Sequence, residues 1–310
     1  MIAALYKKIA LSSPRIEIQL RNFYWNNVGL LKNISTNKNN RVHRTEFVDF
    51  EDIVSFLESC GIGKGALVVM HSSYGNLKPT TLDNVQMIDR LLSLVGEEGT
   101  LAAPVIRQYA EEKILTPKEL MQDGLRNIKC IYDVENTPIT SGVLGITLMN
   151  HKGSFTSRFP LNPLTSVGYH AKYMMLHNVE KNGQSAHGEG SCWKYCADHN
   201  AYVIYLGIDF GHHLTMQQVF NEAYQENTPP DFFIERPFTI LANGERFDFT
   251  VKERRRSFTK RLPELNVRKD LLTSGIVRVA KIKDIPVCVF KAKELLEFYA
   301  TKRRYYPYYI

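Results

Sequence analysis

A chain of 310 residues with 44% apolar side chains is long enough to bury a sizeable core as one large or two small domains, so a globular protein is the starting expectation. No apolar run approaches the ~18 to 20 residues that span a bilayer, and MIAALYKKIALSSPR breaks its short apolar runs with lysines and lacks a signal-peptide cleavage pattern, so a cytoplasmic protein is expected. The net charge of +7 is unevenly placed: residues 1–46 hold eight Lys/Arg against two acids, 252–269 eight against two and 270–310 eight against four, whereas 47–251 hold 15 against 24.

In chain order, residues 3–32 read as one or two amphipathic helices with an aromatic patch at 23–25, and STNKNNR at 35–41 reads as a linker. The division is then a basic helical arm and linker over 1–46 and an α/β domain over 47–310. DFEDIVSFLESCGIGKG puts Ile53, Phe56, Leu57 and Cys60 on one helix face that Gly61 can end. ALVVMHSSY (66–74) is a buried strand running into a polar turn, and residues 82–95 form a second amphipathic helix stopped by GEEG. TLAAPVI (100–106) is another strand, followed by a long polar excursion to about residue 140, and VIYLGI (203–208) is a third strand. FTILANGERFDFTV (238–251) is a hairpin around Asn243-Gly244, and two strands and a helix close the chain. Strands alternating with helices, plus a hairpin, imply a mixed central sheet covered by helices.

The basic periphery could attract nucleic acid, but no zinc-finger, RNP or helix-turn-helix pattern accompanies it, and runs such as ERRRS are expected to be solvated faces. No nucleic-acid partner is expected, and a cationic small substrate such as an amino sugar suits the acidic body better. Cys60, Cys130, Cys192, Cys196 and Cys288 are odd in number and scattered, without a CxxC pair. Neither a disulfide framework nor a metal site is expected from them.

GIGKGALVVMHSSYGNL, VGEEGTLAAPV, SRFPLNPLTSVGYHAKYM, HGEGSCW, VIYLGIDFGHHLTMQQVFNEAY and YYPYYI follow one another in an order that resembles the antibiotic N-acetyltransferase family, which includes aminoglycoside 3-N-acetyltransferases. The similarity covers about residues 50–310 and leaves the arm outside. It implies that family's α/β fold and transfer of an acetyl group from acetyl-CoA to a primary amine of an amino sugar. Amine attack on a thioester needs a neutral nitrogen, so a positioned base helps, and the developing oxyanion needs hydrogen-bond donors. The family carries a Thr, a His three residues later and a Glu three after that. Anchored on Thr215, this pattern puts Gln218 at the histidine position and Asn221 at the glutamate position, and neither amide accepts a proton near neutral pH. Sliding the match by one recovers Glu222 but puts Val219 at the base and Met216 at the threonine. Asn162 and Cys192 also stand where many relatives have His and Pro.

The catalytic candidates are therefore His71, His213, Thr215, Gln218, Asn221 and Glu222, and His71, Ser72, Ser73, Thr165 and Ser166 are the candidates for acetyl-CoA contact. Each has a plainer reading. Thr215 with Gln218 fits a helix capping box, and Gln218, Asn221 and Glu222 share a face that solvent could cover. His71 could be a hydrogen-bonded strand-end residue, and His212 and His213 could be loop residues. Glu189, Gly190 and Ser191 read as a structural turn, and Cys192 and Cys196 as one buried helix face. Three functions stay open: an N-acetyltransferase for an amino sugar, nucleotide-linked or at a cell surface; a catalytically silent member that binds sugar or CoA; and acyl transfer through a cysteine. For the arm, packing on the body, a homodimer contact and contact with an anionic membrane surface stay open.

Overall fold

The structure is a computed structural model and describes residues 2–27, 46–210 and 215–308. Two helices open it, α1 (Ile2–Ala10) and α2 (Pro14–Asn26), the latter started by Ser13, whose hydroxyl accepts the Arg15 N–H. The expected linker at 35–41 and the expected helical residues from 28 onward lie outside the described residues. Helix α3 (Phe50–Ser59) forms where the periodicity predicts it, with Ile53 and Leu57 buried, Asp49 capping its start and the chain turning away at Gly61, φ +91°. Strand β1 (Leu67–Ser72) follows, then α4 (Asn84–Val95), begun by a reciprocal capping box between Asp83 and Gln86, and β2 (Thr100–Pro104).

The polar excursion after β2 contains β3 (Cys130–Asp133). After it come α5 (Val143–Met149), β4 (Phe155–Thr156), β5 (Leu164–Gly168), β6 (Gln184–Ser185), α6 (Cys192–Asp198) and β7 (Tyr202–Leu206). A turn of 3-10 helix, Thr215–Gln217, leads into α7 (Gln218–Glu222). The hairpin is longer than the sequence suggests: β8 (Phe233–Ala242) and β9 (Glu245–Arg254) turn on Asn243 and Gly244, both at positive φ as a two-residue Asn-Gly turn requires. Helix α8 (Glu264–Ser274), β10 (Arg278–Ile282), β11 (Ile285–Lys291) and α9 (Ala292–Thr301) complete the fold.

The larger sheet runs β10-β11-β7-β1-β2-β5-β4, with β7, β1 and β2 parallel in the middle and antiparallel pairs outside them. Alternate residues of a strand face opposite sides. Val69 joins the core of Trp193, Tyr205, Phe290 and Leu295, while Val68 and Met70 meet the apolar faces of α3 and α4. Burial on both faces explains why this strand reads as the unbroken run LVVM. A second sheet, β3-β8-β9-β6, has its own apolar cluster, including Tyr109, Tyr132, Phe238 and Val251.

Strand β1 has β2 on one side and β7 on the other, so the chain leaves neighbouring parallel strands in opposite directions. The gap beyond their C-terminal ends is where an open α/β sheet ordinarily binds ligands.

The arm docks through a buried carboxylate. Glu17 accepts the N–H groups of Leu265 (2.8 Å) and Asn266 (3.0 Å) and the Asn266 side-chain amide (2.7 Å). It supplies the anion that the unpaired N–H groups at the start of α8 need, where Pro263 makes no side-chain cap. Arg21 adds an ion pair to Glu264 at 3.0 Å. Among the described residues no helix is long and apolar enough to cross a membrane.

Candidate active site

Two cavities share Ile106 as a wall. The first, about 490 Å³, opens beyond the ends of β1 and β2, and His71, Ser72, Ser73, Gly142 and Thr215 line it. The second, about 310 Å³, is bordered by Asn162, Ala186, Gln218 and Glu222 and by the charged residues of β9. The short segment from Thr215 to Glu222 therefore runs from one cavity to the other.

Beside the second cavity lies an imidazole–carboxylate pair. His187 is fully buried; its Nδ1 is 3.0 Å from Glu222 Oε1, and its backbone N–H donates to Glu222 Oε2 at 3.0 Å. An ionised carboxylate only accepts hydrogen bonds, so Nδ1 carries the proton and Nε2 presents its lone pair. That lone pair faces the Asn162 side-chain amide nitrogen at 3.5 Å. Burial pushes the Glu222 carboxyl up, but the adjoining His187 ring, the hydrogen bonds from its Nδ1–H and backbone N–H, and a hydrogen bond from Ser185 outweigh it and hold the group below its ordinary value.

Local sequence sets this geometry. His187 follows the two-residue β6, which pairs in parallel with β9, and precedes a turn in which Gly190 has φ +77° and Ser191 caps α6 by accepting the Lys194 N–H. A Cβ at Gly188 would come within 2.5 Å of Ser185 Oγ and 3.1 Å of the Glu222 carbonyl oxygen, so only glycine lets the turn approach α7 this closely. The Trp193 indole N–H donates to the Asn162 carbonyl at 2.8 Å and steadies a residue that sits at φ +47°, where asparagine is tolerated. His71 stacks on Tyr205 at 4.6 Å and lies 6.0 Å from Trp193, whose ring is 5.5 Å from His187. The two imidazoles thus contact the same indole.

The sequence-predicted residues part company here. His71, Ser72, Ser73 and Thr215 line the first cavity; Gln218 and Glu222 border the second. Asn221 does not stand with Glu222: it is buried, its side-chain N–H donates to the Asn227 carbonyl at 2.6 Å and its backbone carbonyl accepts the Thr228 hydroxyl at 2.7 Å, a tie between α7 and the following loop. Thr165 and Ser166 line neither cavity; they are buried in β5, with hydroxyls directed at Phe155 and Ala171 carbonyls at 3.5 Å, because this strand is covered on both faces. His212 and His213 lie outside the described residues.

The residue that the sequence reading missed is His187, although HGEGSCW contains it directly before the glycines of the turn. The carboxylate was visible as Glu222 in the one-residue slide. Cys192 and Cys196 are buried on α6 as one helix face, with burial pushing the Cys192 thiol up to about 12 and that of Cys196 well above its ordinary value. Neither is a poised nucleophile.

Residues 69–302 match the family model Antibiotic_NAT, described as aminoglycoside 3-N-acetyltransferase. No curated protein is significantly similar in sequence. Among solved structures, aminoglycoside acetyltransferase AAC(3)-Xa is similar with a TM-score of 0.66 and 20% identity over 84% of this chain and 94% of its own. AAC-IIIb in its binary complex with CoASH gives 0.65 and 18% over 84% and 97%. The YokD protein from Bacillus subtilis gives 0.62 and 22% over 81% and 97%. These likenesses share the mixed α/β fold, and with the family model spanning most of its length the chain belongs to the aminoglycoside 3-N-acetyltransferase family.

Proposed function

We propose that the protein is an N-acetyltransferase that uses acetyl-CoA to acylate a primary amine of an amino sugar, with His187 as the general base and Glu222 as its orienting partner. The carrying observation is the buried pair at 3.0 Å, with Nε2 directed toward Asn162 on the border of the second cavity. Gln218 and Asn221, the amides at the family's His and Glu positions when the motif is anchored on Thr215, do not bear on whether a base is present. In the proposed reaction the acceptor nitrogen takes the place that the Asn162 amide nitrogen holds next to Nε2. His187 receives the amine proton, the nitrogen bonds to the thioester carbonyl carbon, the C–S bond breaks to expel the CoA thiolate, and the proton held by His187 passes to that sulfur, directly or through water, to release the CoA thiol. Positioned proton transfer of this kind contributes on the order of 10²- to 10⁴-fold.

The first cavity suits the donor. Hydroxyls of Ser72, Ser73 and Thr215 stand beside Met70, Ala103, Val143 and Ile208, and the Cα of Gly75 faces open space. Amides and methylenes alternate along a pantetheine arm and need that mixture of polar and apolar wall. The AAC-IIIb relative binds CoASH, which supports the same donor here. A cytoplasmic setting, where acetyl-CoA is at hand, belongs to this reading. The test is release of CoA thiol over a panel of amino-sugar acceptors. His187→Ala should reduce kcat by at least about 10²-fold while leaving the fold intact. Saturable CoA binding with no turnover on any acceptor would instead favour a silent sugar- or CoA-binding protein.

A further inference from the structure

Five basic and three acidic side chains line the second cavity, against the acidic balance of the segment that forms most of the fold. Their pairing sharpens the excess. Glu112 and Glu253 are both held by Arg236, at 2.5 and 2.7 Å, and both lie within 4.0 Å of Arg256. Glu222 is committed to His187. This leaves Arg107, Lys252 and Arg254, none of which has a carboxylate partner among the described residues.

Arg107 is the most telling. It is 6% exposed, its terminal nitrogens donate at 2.7 Å to the carbonyls of Thr137 and Val134, and its Nε has no hydrogen-bond partner. The buried Arg236 likewise has an unpartnered Nε. A guanidinium buried without a counter-charge is costly, and an oxyanion supplies both the missing charge and an acceptor for the unpartnered Nε–H of Arg107. Arg254 lies with its guanidinium 5.6 Å from the Tyr308 ring and, two residues from Lys252 along β9, shares a face of the strand with it; both line the cavity. A polycationic sugar would meet like charge here.

We propose that the acceptor is an amino sugar that also carries an oxyanion, of the phosphoryl class, and that Arg107, Lys252 and Arg254 receive it while the amine is presented to His187. This rests on the reading of the second cavity as the acceptor site. It reverses the charge of the ligand that the overall composition suggested. The run ERRR, expected to be a solvated face, supplies part of the wall.

The test is calorimetry on the full chain saturated with CoA, titrating glucosamine, glucosamine 1-phosphate, glucosamine 6-phosphate, UDP-glucosamine and kanamycin. At least one phosphorylated sugar should bind 10-fold or more tightly than glucosamine and than kanamycin. Arg254→Gln and Lys252→Gln should abolish most of that advantage while leaving the glucosamine affinity within twofold. Equal affinity for glucosamine and its phosphorylated forms, preference for kanamycin, or no binding by any of them overturns the proposal. So does an Arg254→Gln variant that loses CoA affinity instead, because the cations would then serve the donor's phosphates. CoA-thiol release on the same sugars separates the two readings: preference without turnover removes the acetyl-transfer chemistry and keeps the oxyanion site, and turnover without preference does the opposite.

Discussion

Glu222→Gln perturbs the pair with almost no change in volume. Glu222 accepts two hydrogen bonds from one residue, the ring Nδ1–H and the backbone N–H of His187, both at 3.0 Å. A glutamine offers one accepting oxygen and one donating NH₂. The backbone N–H cannot reverse, so it keeps the oxygen and the NH₂ faces Nδ1. The imidazole then adopts the tautomer protonated on Nε2, whose lone pair points away from the second cavity. General-base catalysis is lost, a change on the order of 10²- to 10⁴-fold in kcat, or about 3 to 5 kcal/mol of barrier. Acceptor KM should change little, because neither atom is proposed to bind the ground-state sugar. The assay combines CoA-thiol release with ¹⁵N NMR of the His187 ring, which reports the tautomer even without turnover. A folded variant that keeps half of wild-type kcat, or a ring still protonated on Nδ1, would refute the reasoning.

Stability should fall as pH drops below about 4.5, the ordinary value for a glutamate, because the folded-state pKa of Glu222 lies lower: the contribution is present above 4.5 and is lost as the carboxylate protonates in the fold. Urea midpoints between pH 7 and pH 3.5 should therefore shift more in the wild type than in Glu222→Gln, and parallel profiles would count against the assignment. Gly188→Ala forces a methyl against Ser185 Oγ and the Glu222 carbonyl and should destabilise by about 1 to 3 kcal/mol while lowering activity, read by thermal melting and thiol release. Arg236→Met removes the cation between two partly buried carboxylates and should cost about 3 kcal/mol in urea unfolding, the low end for a broken buried pair because Arg256 still reaches both. Glu17→Ala leaves the first N–H groups of α8 without their acceptor; a loss of about 2 kcal/mol is expected, and an unchanged midpoint would show that the arm does not cap the body.

What was legible in the sequence depended on the range of the interactions involved. Helices α3 and α4, strands β1, β2 and β7 and the Asn243-Gly244 hairpin announce themselves through periodicity and turn chemistry confined to about ten residues. Helix α8 does not: it buries Asn266, has only a weak apolar stripe, and takes its N-terminal acceptor from Glu17, 248 residues earlier. Hydrophobic pattern cannot report a cap supplied from so far away. In the site, the strand end at His71, Ser72 and Ser73 was readable because an apolar run opens there into polar residues. His187 was not, since its partner lies 35 residues on and β6 contributes only two residues of regular structure. Thr165 and Ser166 carry hydroxyls in a familiar-looking stretch, but pairing on both edges of β5 commits them to the interior.

The geometry of α7 explains why the amides misled. At 3.6 residues per turn Glu222 lies about 40° to one side of Gln218 and Asn221 about 60° to the other, so a polar face that looks continuous in sequence divides. Gln218 and Glu222 border the second cavity; Asn221 ties the helix to the loop at Asn227 and Thr228. A motif anchored on Thr215 assigns both catalytic roles to one helix, whereas here the helix supplies only the carboxylate and the turn before α6 supplies the imidazole. That turn depends on the close approach at Gly188, the positive φ of Gly190 and the Trp193 bond to Asn162. The proposed base is thus held by glycines and an indole that perform no chemistry, and changes at those positions should disturb acetyl transfer more than changes at Asn221, whose side-chain N–H and backbone carbonyl tie α7 to the following loop.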